Sequence, residues 1–323
     1  MADQHLRVPV EPVVILPLLE VNLGDGEWGY PGAEVCTGVR VSRLENWYKK
    51  QVEDAVRDGL IGYRDGALGT CALVLRGIDV SSWDHSGSGA RRVALPALLA
   101  VRLSLQGRMV SPFAYASPTR LKSAGKDRYW YESYCAKIEV PPFVFSWPYI
   151  ERMTISQANL PMIGRVYERC RGWDLDPGHE YCEIAAYWLS RAYCATSVVE
   201  CFIHAFIGLE TLFDDGHGHA TACSRASVFV AKSEEGWRDT REKLRKAYNV
   251  RSRHIHGSHL DPEECRTHME LVINTLRAAV LRLAWQSLGI PRKCKLLCDL
   301  DNEAQTFERV QQRYPQAVLE PPA

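Results

Sequence analysis

The stretch IAAYWLSRAYCATSVVECFIHAFIGLETLF, residues 184–213, decides the fold of this chain. Its apolar residues recur every three to four positions, at Ile184, Tyr187, Trp188, Ala195, Val198, Val199, Phe202, Phe206, Leu209 and Phe213. This period is typical of an amphipathic α-helix that buries one face. The sequence therefore predicts a long helix here, which if continuous spans roughly 50 Å at 1.5 Å per residue.

Further helical patterns follow at about residues 220–232, 234–254 and 262–288. The last of these has a clear start signal, because Asp261 can cap it and Pro262 suits its first turn. Two carboxylates near its positive end, Glu263 and Glu264, strengthen that signal. We expect an all-α helical bundle over residues 149–290, followed by an irregular C-terminal arm, residues 291–323, around one short helical piece.

The first 148 residues have a different pattern, with frequent Gly and Pro between short runs rich in β-branched and aromatic residues. The runs are VVILPLLEV at 13–21, GVRVSRLENWY at 38–48, ALGTCALVLRGIDV at 67–80, RVALPALLAVRLSLQG at 92–107 and RYWYESYCAKIEV at 128–140. They predict a β-rich domain with one helix near residues 44–58. The expected fold class is α+β, a β-rich N-terminal domain followed by a helical one.

Composition limits the possible functions. The 323 residues carry 39 Lys and Arg against 39 Asp and Glu, and 46% of them are apolar. This charge balance excludes a protein that binds polyanions over its whole surface, but not one with a local basic site. Eleven cysteines, together with an N-terminus that does not resemble an export signal, favour reduced thiols and a cytoplasmic location. Charged residues interrupt the most apolar windows, so we expect no membrane span.

Histidines are concentrated late in the chain, since seven of the ten lie between His204 and His268. One interpretation is a metal-dependent hydrolase. Its ligands could come from His254, His256, His259, Cys265 and His268, or from Asp214, Asp215, His217 and His219. The spacing matches no known zinc pattern, and DDGHGH at 214–219 is typical of a solvated loop between helices. We therefore predict no metal and no cofactor.

A second pattern is YNVRSRHIHG at residues 248–257, where Arg251 and the polar Ser252 precede His256. Together with LETLF at 209–213 and the surrounding helices, it resembles the Apea-like branch of the HEPN superfamily of helical ribonuclease domains. The resemblance covers about residues 150–288. It implies a metal-independent endoribonuclease that leaves 2′,3′-cyclic phosphate and 5′-hydroxyl ends, with Arg251, Ser252 and His256 as the catalytic residues.

The residue types suit that chemistry. Histidine titrates near neutrality and can transfer the protons, whereas the arginine fork stays charged and can hold phosphate oxygens. On an unbroken helix Arg251 and His256 are about 140° apart around the axis, so one chain presents an incomplete site. Either the helix ends and His256 turns back, or a second copy completes the site. The resemblance favours the second solution, a homodimer with a composite site.

Other residues receive supporting roles. Glu210 is the expected partner of Arg251, and His254 is an alternative functional histidine. The expected RNA-binding residues are Arg253, Lys246, Arg245 and Tyr248, although Tyr248 suits packing better than base stacking. The resemblance further implies an antiphage role by abortive infection, with a phage-derived or cellular trigger recognised by the N-terminal domain. A non-catalytic RNA- or nucleotide-binding module is the main alternative to the nuclease.

Overall fold

The structure is a computed structural model that describes residues 13–18, 21–25, 28, 33–43, 71–77, 88–105, 109, 111, 113–123, 129–137, 153–171, 180–195, 197–216, 219–255, 261–286, 291–303 and 307–316. The chain divides into two compact units. The first contains Met1–Leu95, Val110–Val140 and Thr154–Leu160. The second contains Pro96–Met109, Pro141–Met153 and Pro161–Ala323. The fold is mixed α+β, with a small β-sheet towards the N-terminus and helices through most of the rest.

The first unit is built on a sheet. The described strands are β1 (Val13–Leu18), β2 (Val21–Leu23), β3 (Ala33–Cys36), β4 (Val39–Arg43), β5 (Cys71–Arg76), β6 (Phe113–Ser123), β7 (Tyr129–Lys137) and β8 (Met153–Ile155). Six of these form an antiparallel sheet in the order β3-β4-β5-β1-β6-β7, and β2 pairs with β8. Ile15, at the centre, pairs with Val74 on one side and Tyr115 on the other.

Burial explains why the central strands have continuous apolar sequences. Consecutive residues of β1, from Val14 to Leu16, are all buried, so both faces of the strand are covered. The turn between β3 and β4 depends on Gly38, which has a φ of +80°. A Cβ at this position would lie 2.9 Å from the carbonyl oxygen of Arg76, so glycine is needed both for its conformation and for this close approach.

One of the predicted strand runs is wrong. Residues 88–104 form helix α1 (Ser88–Ser104) instead. Its buried residues occur almost continuously from Ala97 to Leu103, and such a run has no helical period that would distinguish it from a buried strand. The run is rich in alanine and leucine, which favour helix, and this preference decides the outcome. The helix predicted near residues 44–58 lies outside the described residues.

The second unit is helical. The remaining helices are α2 (Leu160–Cys170), α3 (Glu180–Tyr193), α4 (Val198–Phe213), α5 (His219–Val230), α6 (Glu234–Ile255), α7 (Pro262–Ala284), α8 (Lys293–Glu303) and α9 (Phe307–Arg313). Helices α5, α6 and α7 agree with the predicted ranges within a few residues. The predicted cap of α7 is present, since the Asp261 side chain accepts a hydrogen bond from the backbone nitrogen of Glu263 at 3.0 Å. Within the described residues, no helix is both long and apolar enough to cross a bilayer.

The stretch 184–213 is two helices rather than one. Helix α3 ends at Tyr193 and α4 begins at Val198, with Ser197 as its N-cap. The Ser197 hydroxyl accepts a hydrogen bond from the backbone nitrogen of Glu200 at 3.1 Å. The apolar period continues across the break because both helices bury a face in the same core, so periodicity alone predicts a single helix.

Helix α7 contributes a long buried face to this core. Its buried apolar residues are Cys265, Met269, Val272, Ile273, Leu276, Ala279, Val280, Leu281, Leu283 and Ala284. Gly208 allows α4 to approach closely, because a Cβ there would lie 2.5 Å from Cδ2 of Leu276. The Cβ of Trp188 on α3 is also near, at 3.3 Å from the same position. Helices α3, α4 and α7 therefore meet around Gly208.

The C-terminal segment differs from the irregular arm that we expected. It contains two helices, α8 and α9, and these belong to the helical unit. Leu296, Leu300, Val310 and Tyr314 are buried. Each helix is short, with 11 and 7 residues, so its apolar period is too brief to be recognised in the sequence.

Candidate functional site

The candidate site is centred on an ion pair between α4 and α6. Nη2 of Arg251 lies 2.5 Å from Oε2 of Glu210. The two side chains are only 11% and 17% exposed. Glu210 lies in the last turn of α4 and Arg251 near the end of α6, so the packing of these helices brings together residues 41 positions apart. The contact expected for Glu210 is therefore present.

The ion pair fixes the guanidinium of Arg251 but occupies only some of its N–H donors. An arginine side chain has five N–H donors, more than one carboxylate oxygen can accept. Because the pair is mostly buried, its electrostatic interactions are screened less than those of a surface pair. Arg251 is therefore held in position and keeps donors that can bind an anion such as a phosphate.

Tyr248, on the same helix as Arg251, lies beside the ion pair, and Ser252 is hydrogen-bonded to Tyr248. The guanidinium carbon of Arg251 lies 5.7 Å from the centroid of the Tyr248 ring. Burial raises the pKa of the Tyr248 hydroxyl, while Arg251 and a hydrogen bond with Ser252 act in the opposite direction. With its pKa raised above an already high value, the hydroxyl stays protonated at neutral pH. The structure thus places Arg251, Ser252, Tyr248 and Glu210 together.

Tyr248 packs into the protein. Its ring makes an edge-on contact with Phe206 at a centroid distance of 6.2 Å. It also lines a small, mainly apolar crevice beside the ion pair, together with Phe206, Leu209, Glu210, Ala222, Cys223, Ala226 and Leu244. This environment supports the packing role over base stacking, because one face of the ring is already occupied.

The sequence predicts functional roles for the histidines of this segment. Helix α6 extends through Ile255, which places Arg251 and Ser252 in regular helix. His256 and His259 lie outside the described residues, as does the side chain of His254. The structure therefore shows the surroundings of Arg251 but not those of His256, and the role of His256 stays a prediction.

The expected RNA-binding cations are not equivalent. Lys246 pairs with Glu242 at 2.8 Å, and Arg253 pairs with Glu264. On the same helix, Lys243 pairs with Asp239 and Arg238 with Glu234, at 2.7 and 2.5 Å. Arg241 and Arg245, in contrast, are exposed and have neither an ion pair nor a hydrogen bond to any described residue. Arg245 is among the RNA-binding residues predicted from the sequence, and Arg241 belongs to the same row of cations on this helix.

A sequence signal could have separated these cations. Oppositely charged residues four positions apart on a helix lie close enough to pair. Arg238, Lys243 and Lys246 each follow a carboxylate by four positions, whereas Arg241 follows Trp237 and Arg245 follows Arg241. The four-residue spacing thus separates the three paired cations from Arg241 and Arg245, although Arg245 follows Glu242 by three positions and, after Lys246, helps to lower the pKa of that carboxyl.

The proposed metal ligands do not converge in the described part of the chain, where no group of three or more His, Cys, Asp or Glu residues could hold an ion. Cys265 is fully buried, and burial raises the pKa of its thiol to about 11. Asp214 accepts a hydrogen bond from the backbone of Gly216, and Asp215 pairs with Arg225. His217 and the side chain of His219 lie outside the described residues.

Comparisons with models of protein families, with curated proteins and with solved structures found no match. The likeness to HEPN domains therefore rests on the residues of this chain. What the structure shows is the mostly buried ion pair between Glu210 and Arg251, with Tyr248 against the guanidinium and Ser252 hydrogen-bonded to Tyr248. This arrangement can bind and orient an anion.

Proposed function

We propose that this protein is a metal-independent endoribonuclease of the HEPN type. The observation that carries the proposal is the mostly buried ion pair between Glu210 and Arg251, next to Ser252 and five positions before His256 in the sequence. A mostly buried arginine that is oriented by a carboxylate suits a site that must hold a phosphate in a fixed position. Histidine, serine and arginine together supply proton transfer, orientation and charge stabilisation.

In the proposed reaction, Arg251 binds the non-bridging oxygens of the scissile phosphate and stabilises the charge that grows on them. His256 acts as general base towards the 2′-hydroxyl or as general acid towards the leaving 5′-oxygen. The 2′-oxygen forms a new bond to phosphorus as the bond to the 5′-oxygen breaks, and the proton lost by the first ends on the second. The products are a 2′,3′-cyclic phosphate and a 5′-hydroxyl.

Glu210 and Ser252 are positioning residues in this scheme. Glu210 accepts a hydrogen bond from Nη2 of Arg251, which fixes the plane of the guanidinium that would bind the phosphate. Ser252 precedes His256 by four positions, a spacing that would put the two on one face of a continuous helix, and its proposed role is to orient the histidine. The second proton-transfer group comes from another copy of the chain in a composite, homodimeric site. The resemblance adds an antiphage role in which the N-terminal domain recognises a trigger, and the cysteine content favours a cytoplasmic location.

The test is digestion of a labelled RNA by the full-length protein in excess EDTA. We expect cleavage, with 5′ fragments whose 3′ ends resist phosphatase until acid opens the cyclic phosphate, and 3′ fragments whose 5′ ends a kinase can label directly. Cleavage that needs added zinc or manganese would support a metal-dependent hydrolase instead. RNA that is retained but not cut, by the wild type and by His256→Ala alike, would support a non-catalytic binding module.

Arg241 and Arg245 are the cations that we expect to contact the RNA backbone on its way to Arg251. They lie one helical turn apart, and Ser252 lies about 20° from each around the helix axis. Each phosphate neutralised on a single strand contributes about 0.7 to the slope of log K against log salt concentration. The double variant Arg241→Gln/Arg245→Gln, in a His256→Ala background that does not cut, should therefore lower this slope by about 1.4.

The matched control removes two cations that already have partners, Arg238→Gln/Lys243→Gln on the same helix. Because these cations are neutralised within the protein, their loss should change the slope by less than about 0.5. Fluorescence anisotropy with a labelled single-stranded RNA at four or more salt concentrations measures the slope for each double variant. Equal slopes for the two double variants would show that Arg241 and Arg245 do not contact phosphate.

A further inference from the structure

Helix α8 presents two thiols to the solvent on one of its faces. Cys294 and Cys298 are both exposed, and both are in the thiol form. They are four positions apart, so their side chains are one helical turn apart and rotated by only about 40° around the axis. The other cysteines in the described part of the chain are buried or half-buried. This pair is therefore open to a ligand that arrives from the solvent.

Burial makes several of the other thiols poor metal ligands. It raises the pKa of Cys71, Cys182 and Cys223 to about 12, and it also raises the pKa of Cys170 and Cys201. A thiol must lose its proton to bind a metal ion, and an ion must be able to reach it. Both requirements work against these five residues, so a metal-binding thiol is to be sought on the surface.

The first turn of α8 is anchored, which fixes the spacing of the two thiols. The backbone nitrogen of Leu296 donates a hydrogen bond to the carbonyl oxygen of Arg292 at 3.0 Å, and this bond closes the turn that contains Cys294. Leu296 itself is fully buried. The Tyr181 hydroxyl of α3 donates to the carbonyl oxygen of Pro291, just before the helix, at 2.6 Å. The pair therefore keeps the geometry of a regular helix.

That geometry favours a bridging ion over a disulfide. Residues four apart on a helix have Cβ atoms about 6 Å from each other. A disulfide needs Cβ atoms only about 3.5–4.5 Å apart, so this pair could form one only if the helix distorted. A metal ion between two sulfurs adds two bonds of about 2.3 Å each, and these can span the wider gap. The spacing is thus suited to one ion held by both thiols.

The ligand set selects the kind of ion. Thiolates are soft ligands, and the soft ions that they bind include Cu(I) and Zn²⁺. Structural Zn²⁺ takes four protein ligands, whereas the described residues contain no group of three or more His, Cys, Asp or Glu that could hold an ion. The neighbouring carboxylate of Asp299 is buried and already binds Lys295 and Tyr314. Cu(I) needs no further ligand, because two thiolates in a nearly linear arrangement complete its coordination.

The charges around the pair suit a Cu(I) complex. Each thiol loses its proton as it binds, so two thiolates and one Cu(I) together carry one net negative charge. Cys294 is in the first turn of α8, at the positive end of the helix dipole, and that turn contains no acidic residue. Arg292 and Lys293 directly precede Cys294 and add positive charge. A Zn²⁺ complex of the same two thiolates would be neutral and would gain less from these surroundings.

We propose that Cys294 and Cys298 form a binding site for one Cu(I) ion on the surface of α8. The ion joins the two sulfurs, and the two thiol protons pass to the solvent. The site lies on a different helix from Arg251 and takes no part in the proposed RNA cleavage, so it does not depend on that function. It departs from the sequence-based prediction of no metal, which considered the histidine-rich segments.

The test is an anaerobic titration of the reduced, full-length protein with Cu(I), in competition with a chromophoric Cu(I) chelator such as bicinchoninate. The wild type should bind one Cu(I) that the double variant Cys294→Ser/Cys298→Ser does not bind. Each single serine variant should weaken this binding at least about 100-fold, because one thiolate leaves the coordination incomplete. The matched control Cys36→Ser/Cys194→Ser, which removes two half-buried thiols elsewhere, should bind like the wild type.

Three outcomes would overturn the proposal. The first is a wild type that binds no more Cu(I) than the folded double variant, as judged by circular dichroism, or a single variant that binds as tightly as the wild type. The second is displacement of the copper by about a 100-fold excess of Zn²⁺, which would contradict the choice of ion. The third is a disulfide between Cys294 and Cys298 in folded, peroxide-treated protein, which would contradict the spacing. None of these results depends on whether the protein cuts RNA.

Discussion

Arg251→Ala should lower the rate of RNA cleavage about 10²- to 10³-fold, the usual cost of removing one group that stabilises transition-state charge. His256→Ala should have a comparable or larger effect, about 10²- to 10⁴-fold, because it removes a proton-transfer group. Arg251→Lys should recover only part of the rate, since a lysine keeps the charge but cannot hold two phosphate oxygens in one plane. Single-turnover cleavage in EDTA measures these rates.

Two further variants make the result specific. Glu210→Gln should lower the rate by less than Arg251→Ala, because the guanidinium remains but is less firmly oriented. Lys243→Ala, which removes an exposed cation paired with Asp239, should leave the rate within about twofold. Since Arg251→Ala leaves Glu210 partly buried without its cation, a thermal melt must show that the variant is folded. A folded Arg251→Ala protein that cuts RNA at the wild-type rate would remove Arg251 from the site.

Arg225→Ala should lower the free energy of unfolding of the helical unit by about 2–3 kcal/mol. Arg225, on α5, is 2% exposed and binds Asp301 through two hydrogen bonds of 2.7 and 2.6 Å. It also binds Asp215 at 2.9 Å and the carbonyl oxygen of Phe213 at 2.8 Å. Removing one member of a fully buried pair costs about 3–5 kcal/mol. The expected loss here is smaller, about 2–3 kcal/mol, because Asp301 and Asp215 are 47% and 27% exposed, and water can solvate them once the cation is gone.

This loss corresponds to a decrease of about 5–10 °C in Tm for a unit of this size, measured by circular dichroism at 222 nm. Arg238→Ala is the matched control, because it breaks an exposed i,i+4 pair on α6 that contributes less than about 0.5 kcal/mol. If the two variants melt within about 2 °C of each other, the contact between α5 and α8 does not stabilise the unit. The C-terminal helices would then behave as the separate arm that the sequence suggested.

Much of the helical unit could be predicted from local patterns. The bounds of α6 and α7 follow from an apolar period and, for α7, from Asp261 and Pro262, all of which act within a few residues. The predictions that were wrong share another feature. The helix at Ser88–Ser104 contains an almost continuously buried run, and at Ser197 the apolar period continues across the break between two helices, so in neither place does the period distinguish one structure from another.

The residues of the candidate site divide in the same way into those that the sequence predicts and those that it does not. The residue types of Arg251, Ser252 and Glu210 could be selected from the sequence, because their chemistry and the resemblance to HEPN domains both point to them. Spacing alone separates Lys246, which follows Glu242 by four positions, from Arg241, but it does not identify the partner of Arg253. That partner, Glu264, comes from α7, and only the packing of α7 on α6 brings it to Arg253.

The sequence by itself determined where helices begin, which residues are apolar, and that an arginine, a serine and a histidine occur together late in the chain. These properties depend on interactions within one or two helical turns, so they can be read without a partner. Only the tertiary structure decided that Glu210 meets Arg251, that Asp301 meets Arg225, and that Ile184 and Tyr187 stay on the surface. Contacts between residues 41 or 76 positions apart depend on how whole helices pack, and no local pattern contains that information.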